Sequence, residues 1–301
     1  MAASPRSAEE RAMGLIIRPD RVYEMPVFFG PSPGTKNPDE NGVYRLNKPA
    51  TVEAATVVFE TDPDRLEAFL PKGFTLAAPV LSVAACEFGT LGNFSGNTYY
   101  LVNVSVPVSF DGDRDHLRGD LVLVMYENHA DPILGGRDLM GYAKAYADIP
   151  RFAKDGRHVR TSAGDWGFTF LDVELDLEGG PADEELMRRL AAESQGKFNY
   201  KYIQATPEKG HQYHEAGADA SYPTFNPKSP GLPEDYPFEL MEPETHFCSG
   251  TAHFHAPEPW QMPMYWHIPA ALAGLPVRRW VGAQFSRYND PTDYNHVYRL
   301  R

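Results

Sequence analysis

The sequence predicts an α+β domain that is predominantly antiparallel β with a few short helices. Strand-like runs rich in Val, Thr and aromatic residues recur along the chain, and turn residues separate them. Only three short stretches have helical spacing, and no repeat, heptad pattern or low-complexity tract intervenes. Many strands with few helices point to this class rather than to alternating β-α units. No clean linker appears, so the 301 residues read as a single domain, with 1–50 as an N-terminal arm and 51–301 as the body.

Within the arm, residues 28–34 and the polar stretch 36–41 read as loop. Residues 51–61, rich in Val and Thr, form the first expected strand. Asp62-Pro63 is a cap and first-turn pair, opening a short helix through Leu66, Phe69 and Leu70 that Pro71-Lys72-Gly73 stops. Strands follow at 79–88, 98–110 and 120–126, then a helix from about 136 to 148, ended by Pro150. A long strand at 166–177, a helix at 182–193 and a strand at 198–205 come next. Residues 206–240, dense in Pro, Gly and Asp, contain no clear element and read as a lid or interface loop. The last expected strands are 245–255, 262–267 and 277–288.

Charge narrows the function. Against 28 basic residues stand 41 acidic ones, a net of -13, and no Lys/Arg-rich run interrupts that field. Phosphate backbones and anionic lipid are repelled, so no nucleic-acid partner is expected. A small organic anion would need a local cation. The two cysteines, Cys86 and Cys248, call for no disulfide framework. No stretch approaches the roughly 18 apolar residues of a spanning helix, and residues 1–11 lack an apolar leader core. The expectation is a cytoplasmic protein with no membrane partner.

The most informative stretch is 127–144: a polar turn, the glycine pair Gly135-Gly136, and a helical segment with the lone Lys144. On a helix its neighbours would be Met140, Gly141, Ala147 and Asp148, three of them apolar or small. At a reference pKa of about 10.4, roughly one lysine in 2,500 is a free amine at neutral pH. Burial can lower that value by about 3–5 units and make the amine a nucleophile towards ketones. From the residues alone, a snorkelling or ion-paired surface lysine stays open as well.

The segment Gly136-Arg137-Asp138-Leu139, then Tyr142 and Lys144, resembles the active-site stretch of acetoacetate decarboxylases. Upstream, 107–112 (Pro-Val-Ser-Phe-Asp-Gly), Gly119-Asp120 and Tyr126 match in order and spacing; downstream, Ala256-Pro257 and Leu275-Pro276-Val277 resemble the closing motif. The likeness spans roughly 50–290. It implies a β-barrel or cone type of fold, a Schiff base on Lys144, no cofactor beyond that lysine, no metal, and a homo-oligomer, dimer or tetramer. Decarboxylases carry a second lysine where this chain has Ala145, and a glutamate where it has Leu101. Their arginine ahead of the first helix has no counterpart in 46–64, with Arg45 just before. Glu87 matches the other family glutamate, and an exposed strand carboxylate is its alternative.

Lysine retained amid replaced charges implies altered Schiff-base chemistry. The resemblance then points to a lyase acting on a small pyruvate-like oxo acid, with an aldehyde as second substrate, as an aldolase-dehydratase ahead of a decarboxylase. A non-catalytic ligand-binding protein is the remaining alternative. Glu87, Tyr99 or Tyr142 would move the proton; Arg137 would hold a carboxylate or brace a turn; Met140 and Leu101 would line the pocket. Ten histidines raise the question of metal, yet His253 and His255 with His246, and His211 with His214, fit no strong zinc spacing.

Overall fold

The computed structural model describes residues 16–32, 36–44, 48–89, 96–228, 237–290 and 296–301. The chain divides into two compact units, Met1–Asn47 and Lys48–Arg301. In the first, Asn37 organises the loop. Its side-chain oxygen accepts from the Val22 amide at 2.7 Å, and its amide donates to the carbonyls of Val22 and Ser32.

The second unit is built on strands β1 (Ala50–Glu60), β2 (Phe74–Leu76), β3 (Val80–Gly89), β4 (Tyr99–Asp111), β5 (His116–Glu127), β6 (Lys144–Tyr146), β7 (Ala153–Lys154), β8 (His158–Asp165), β9 (Phe168–Asp176), β10 (Gly196–Gln204), β11 (Ala218–Pro227), β12 (Glu244–Phe254), β13 (Arg279–Asp290) and β14 (Tyr298–Arg299). The helices are α1 (Pro63–Glu67), α2 (Ala130–Gly135), α3 (Glu184–Glu193) and α4 (His267–Ala273). The strands hydrogen-bond in the order β14-β11-β10-β5-β4-β3-β1-β13-β12-β9-β8-β7, with β2 on β4 and β6 on β5. Pairing is antiparallel except where β5 meets β10 and β6. The predominantly antiparallel α+β fold is as expected, while the path among the described residues stays open and does not close into a barrel.

Two apolar clusters occupy opposite faces of the central strands, because alternate side chains on a strand point to opposite sides. Leu81, Val83 and Ala85 of β3, Val102 and Val104 of β4, and Val124 and Tyr126 of β5 enter the main core. Their neighbours in sequence, Cys86, Phe88, Tyr99, Leu101 and Met125, form a second, smaller cluster with Tyr142. That second face also carries polar groups, among them Asn103 and Ser105, which are hydrogen-bonded to each other.

Several elements differ from expectation. The helix foreseen over 136–148 stops early: α2 passes into a wide turn over Gly136–Met140, Gly141 takes φ 82°, and Lys144 opens β6. A glycine in the left-handed region is a common helix stop. The strand foreseen at 262–267 is instead turn and the start of α4, since Met262 receives the Trp266 amide as helices begin. Within 206–240 lies β11, which pairs along the length of β10. Strand β8 was not foreseen. Arg45, residues 33–34 of the arm loop and 229–236 of the long loop lie outside the described residues.

Both thiols are buried, and burial pushes Cys86 up to about 12 and Cys248 up to about 11. Native protein at pH 8 is therefore expected to leave a disulfide-exchange reagent essentially unconsumed, since thiolate is the reactive form. Two equivalents should react after denaturation. Rapid reaction of a native thiol would contradict this burial.

Candidate active site

The site begins with strand alternation at the end of β5. Glu127 stands opposite Leu101 of β4, and Leu101 stands opposite Cys86 of β3. β6 runs parallel to β5 with Lys144 beside Met125. Lys144, Met125, Glu127 and Leu101 thus share the face of the second cluster. Ala145, beside Tyr126, turns into the main core.

The Lys144 ammonium is held from several sides. It donates to the Pro132 carbonyl at 2.9 Å, lies 2.8 Å from Oε1 of Glu127, and sits 5.4 Å from the Tyr142 ring centre. Lys144 is 8% exposed and Glu127 is 0% exposed. Burial pushes the Glu127 carboxyl up, and the adjacent ammonium opposes that shift. Desolvation disfavours the charged form of a buried carboxyl, and the cation 2.8 Å away offsets part of that cost.

The surrounding backbone is fitted to the lysine. Arg137 donates to the Lys144 carbonyl at 3.1 Å. Thr224 of β11 donates to the Met140 carbonyl at 2.7 Å, and Asn226 donates to the Tyr142 hydroxyl at 2.8 Å. Burial raises the pKa of that phenol, so Tyr142 stays protonated. A Cβ at Gly136 would lie 2.5 Å from Lys144 Cε and 2.7 Å from Nζ. Gly136→Ala is therefore expected to push the ammonium away from Glu127, lowering stability as well as reactivity. We expect at least tenfold slower labelling of Lys144 together with a lowered melting temperature; equal labelling would show that the glycine is not needed.

Of the residues singled out from sequence, Lys144, Tyr142, Leu101 and Tyr99 meet on one face, with Met140 packed against them. Tyr99 stacks on Phe88 at 5.4 Å. Arg137 braces the lysine's backbone. Glu87 does not join the group. Its register partners are Glu53 and Tyr100, so alternation turns it to the other face, where Arg151 pairs with it at 3.3 Å. Sequence reasoning missed Glu127, which looks like the first residue of a polar turn. Its two-residue offset from Met125 was the available signal, but only the register with Leu101 gives it meaning. The histidines scatter: His246 contacts the Leu177 carbonyl and His255 contacts Asp172. No cluster with metal-holding geometry occurs among the described residues.

A family model described as acetoacetate decarboxylase matches residues 24–221, which takes in every side chain of this site except Thr224 and Asn226. The chain belongs to the acetoacetate decarboxylase family. The acetoacetate decarboxylase of Burkholderia vietnamiensis is 30% identical over 149 residues, covering 46% of this chain and 54% of that protein. That of Burkholderia ambifaria is 28% identical over the same length and shares. The chain thus spans about half the length of the curated relatives it matches.

Solved structures share the fold. Acetoacetate decarboxylase from Legionella pneumophila aligns with TM-score 0.60 at 17% identity, over 85% of this chain and 88% of that one. An acetoacetate decarboxylase-like enzyme from Sphingomonas wittichii gives 0.58 at 17%, over 84% and 92%. The enduracididine biosynthesis enzyme MppR, complexed with pyruvate, gives 0.56 at 12%, over 93% and 97%.

Against the family pattern, two departures acquire a physical meaning. A second lysine at position 145 would point to the opposite face, so Ala145 removes no charge from beside Lys144. The glutamate absent at Leu101 has a carboxylate directly across the ladder in Glu127. No helix among the described residues is long and apolar enough to cross a membrane.

Proposed function

We propose that the chain is a Schiff-base lyase joining a pyruvate-like oxo acid to an aldehyde through Lys144, as an aldolase-dehydratase ahead of a decarboxylase. The buried pair of Lys144 and Glu127, 2.8 Å apart, carries the reading. With the proton on Glu127, the free amine attacks the ketone carbon of the oxo acid. Glu127 then protonates the departing hydroxyl, water leaves, and a protonated imine remains with a Glu127 carboxylate beside it.

That carboxylate is a base next to an electron sink, placed to take a proton from the carbon beyond the imine. The resulting enamine attacks the aldehyde carbon, and the new alkoxide recovers the proton from Glu127. A second proton removal expels the hydroxyl as water and leaves a carbon–carbon double bond. Hydrolysis of the imine frees Lys144. Loss of carbon dioxide needs no such base, and a buried carboxylate beside the imine repels the β-carboxylate that would have to leave. Tyr99, Tyr142, Met140 and Leu101 shape the apolar wall, and Arg137 fixes the backbone of Lys144. The MppR complex with the condensation product of pyruvate and imidazole 4-carboxaldehyde supports such chemistry on this fold.

The curated relatives favour a second reading, decarboxylation of acetoacetate or a related β-keto acid. One experiment separates the two. In D2O, pyruvate should exchange its methyl protons in the presence of the protein, and borohydride should then label Lys144. Rapid carbon dioxide release from acetoacetate without pyruvate exchange would overturn the first reading in favour of the second. As a family member the protein is also proposed to be a cytoplasmic homo-oligomer, dimer or tetramer, which light scattering would count.

A further inference from the structure

A second amine shares the face of the site. Lys197 of β10 lies beside Asp120 of β5 and opposite Asn226 of β11. Phe198, the next residue, enters the main core, so Lys197 and Asn199 turn to the other face with Thr224 and Asn226. Asn226 is the residue whose amide holds the Tyr142 hydroxyl, and the Tyr142 ring lies against Lys144. The charge of Lys197 lowers the pKa values of both Tyr142 and Cys86 of β3, against the larger effect of their burial.

Several polar atoms on this face lack hydrogen-bond partners. Asn199 is 0% exposed, approaches the Tyr142 hydroxyl, and closes no hydrogen bond through either atom of its amide. The side-chain oxygens of Asn103 and Asn226 are likewise buried and unpaired. Buried amides left unsatisfied are costly, and a face holding several of them is complementary to a polar ligand. Two negative charges act on the same region. Asp120 accepts from Ser194 Oγ at 2.8 Å, and burial raises its pKa; Asp290 acts on Tyr142, Cys86 and Tyr288. Lys197 forms no close ion pair among the described residues, and its charge acts on Asp120 from further away.

We propose that Lys197, with the Asn199 amide, anchors a carboxylate of the acid whose carbonyl carbon is presented to Lys144. An ammonium and an amide N–H on one side of Tyr142 supply the donors that a carboxylate takes, in a chain whose net charge otherwise repels acids. Lys197 is a binding residue in this assignment, and it deepens the Schiff-base reading, on which it rests for the role of Lys144.

Oxamate, a monocarboxylate isostere of pyruvate that forms no imine, and glutarate, a dicarboxylate that reaches further, serve as probes in titration calorimetry. Lys197→Gln should weaken at least one of them tenfold or more, and Lys197→Arg should restore most of the loss. The probe affected tells whether the anchored carboxylate is next to the carbonyl or remote from it. Equal affinity of wild type and Lys197→Gln for both probes, or binding of neither by wild type, would overturn the assignment. Borohydride labelling of Lys144 with pyruvate, run in parallel, keeps the two ideas apart. Labelling with Lys197-independent binding sinks the anchor alone, whereas Lys197-dependent binding without labelling sinks the Schiff base alone. Circular dichroism of each variant confirms that the comparison is between folded proteins.

Discussion

Glu127→Gln is expected to lower pyruvate methyl exchange by about 10²–10⁴-fold, the range lost when a positioned acid–base group is removed. The amide keeps the shape of the carboxyl and cannot take a proton from carbon. Borohydride labelling of Lys144 should be slowed by loss of the acid that protonates the departing hydroxyl but should persist, because a buried amine deprived of its counter-ion shifts towards the neutral, nucleophilic form. The split between lost exchange and retained labelling identifies Glu127 as a base and not merely a structural partner. Equal loss of both would show that Glu127 has no separate role as the base for the carbon proton. Exchange at the wild-type rate would return the proton-transfer role to another group, such as Tyr142.

Lys144→Met should abolish labelling altogether and also destabilise the fold. It strands Glu127, fully buried, without its cation. Breaking a buried pair from one side costs about 3–5 kcal/mol while the remaining group is charged. The cost depends on pH, and its sign follows from the raised pKa of Glu127. Below the unfolded-state value of about 4.3 the carboxyl is protonated in both states and the penalty vanishes. As pH rises through the elevated folded-state value, the unfolded chain releases its proton first and stability falls. Urea melts at pH 4 and pH 8 should therefore differ more for Lys144→Met than for wild type. Adding Glu127→Leu should remove that difference; a pH-independent loss would mean that packing and not charge is at stake.

The strands were legible because β-branched and aromatic runs between turn residues are a local signal, and β1, β3, β4 and β13 fall close to the expected spans. The reactive lysine was legible through the residues around it, but its setting was not. Leu139 and Met140 continue a helical pattern, and Gly141 reads equally as a tolerated helical glycine or as a stop. A contact from outside the segment decides: a side chain at Gly141 would strike Lys201 of β10. Glu127 and Glu87 show the limit most clearly. Each is one acidic residue near a strand end, and nothing local tells which shares a face with Lys144. The register of β3, β4 and β5 does, through pairings some 13 to 26 residues apart along the chain. Lys197 escaped notice for the same reason, since its place depends on a parallel pairing of only two residues between β5 and β10.

The hold on Lys144 from several sides has a consequence for how quickly a ketone can be captured. A free lysine side chain carries about 2 kcal/mol of rotamer freedom, and an amine must surrender much of it to line up on a carbonyl carbon. Here Pro132, Glu127 and Tyr142 have already fixed the torsions during folding. The encounter with substrate then costs mainly the freedom of the substrate itself, which raises the effective concentration of the amine at the reacting carbon.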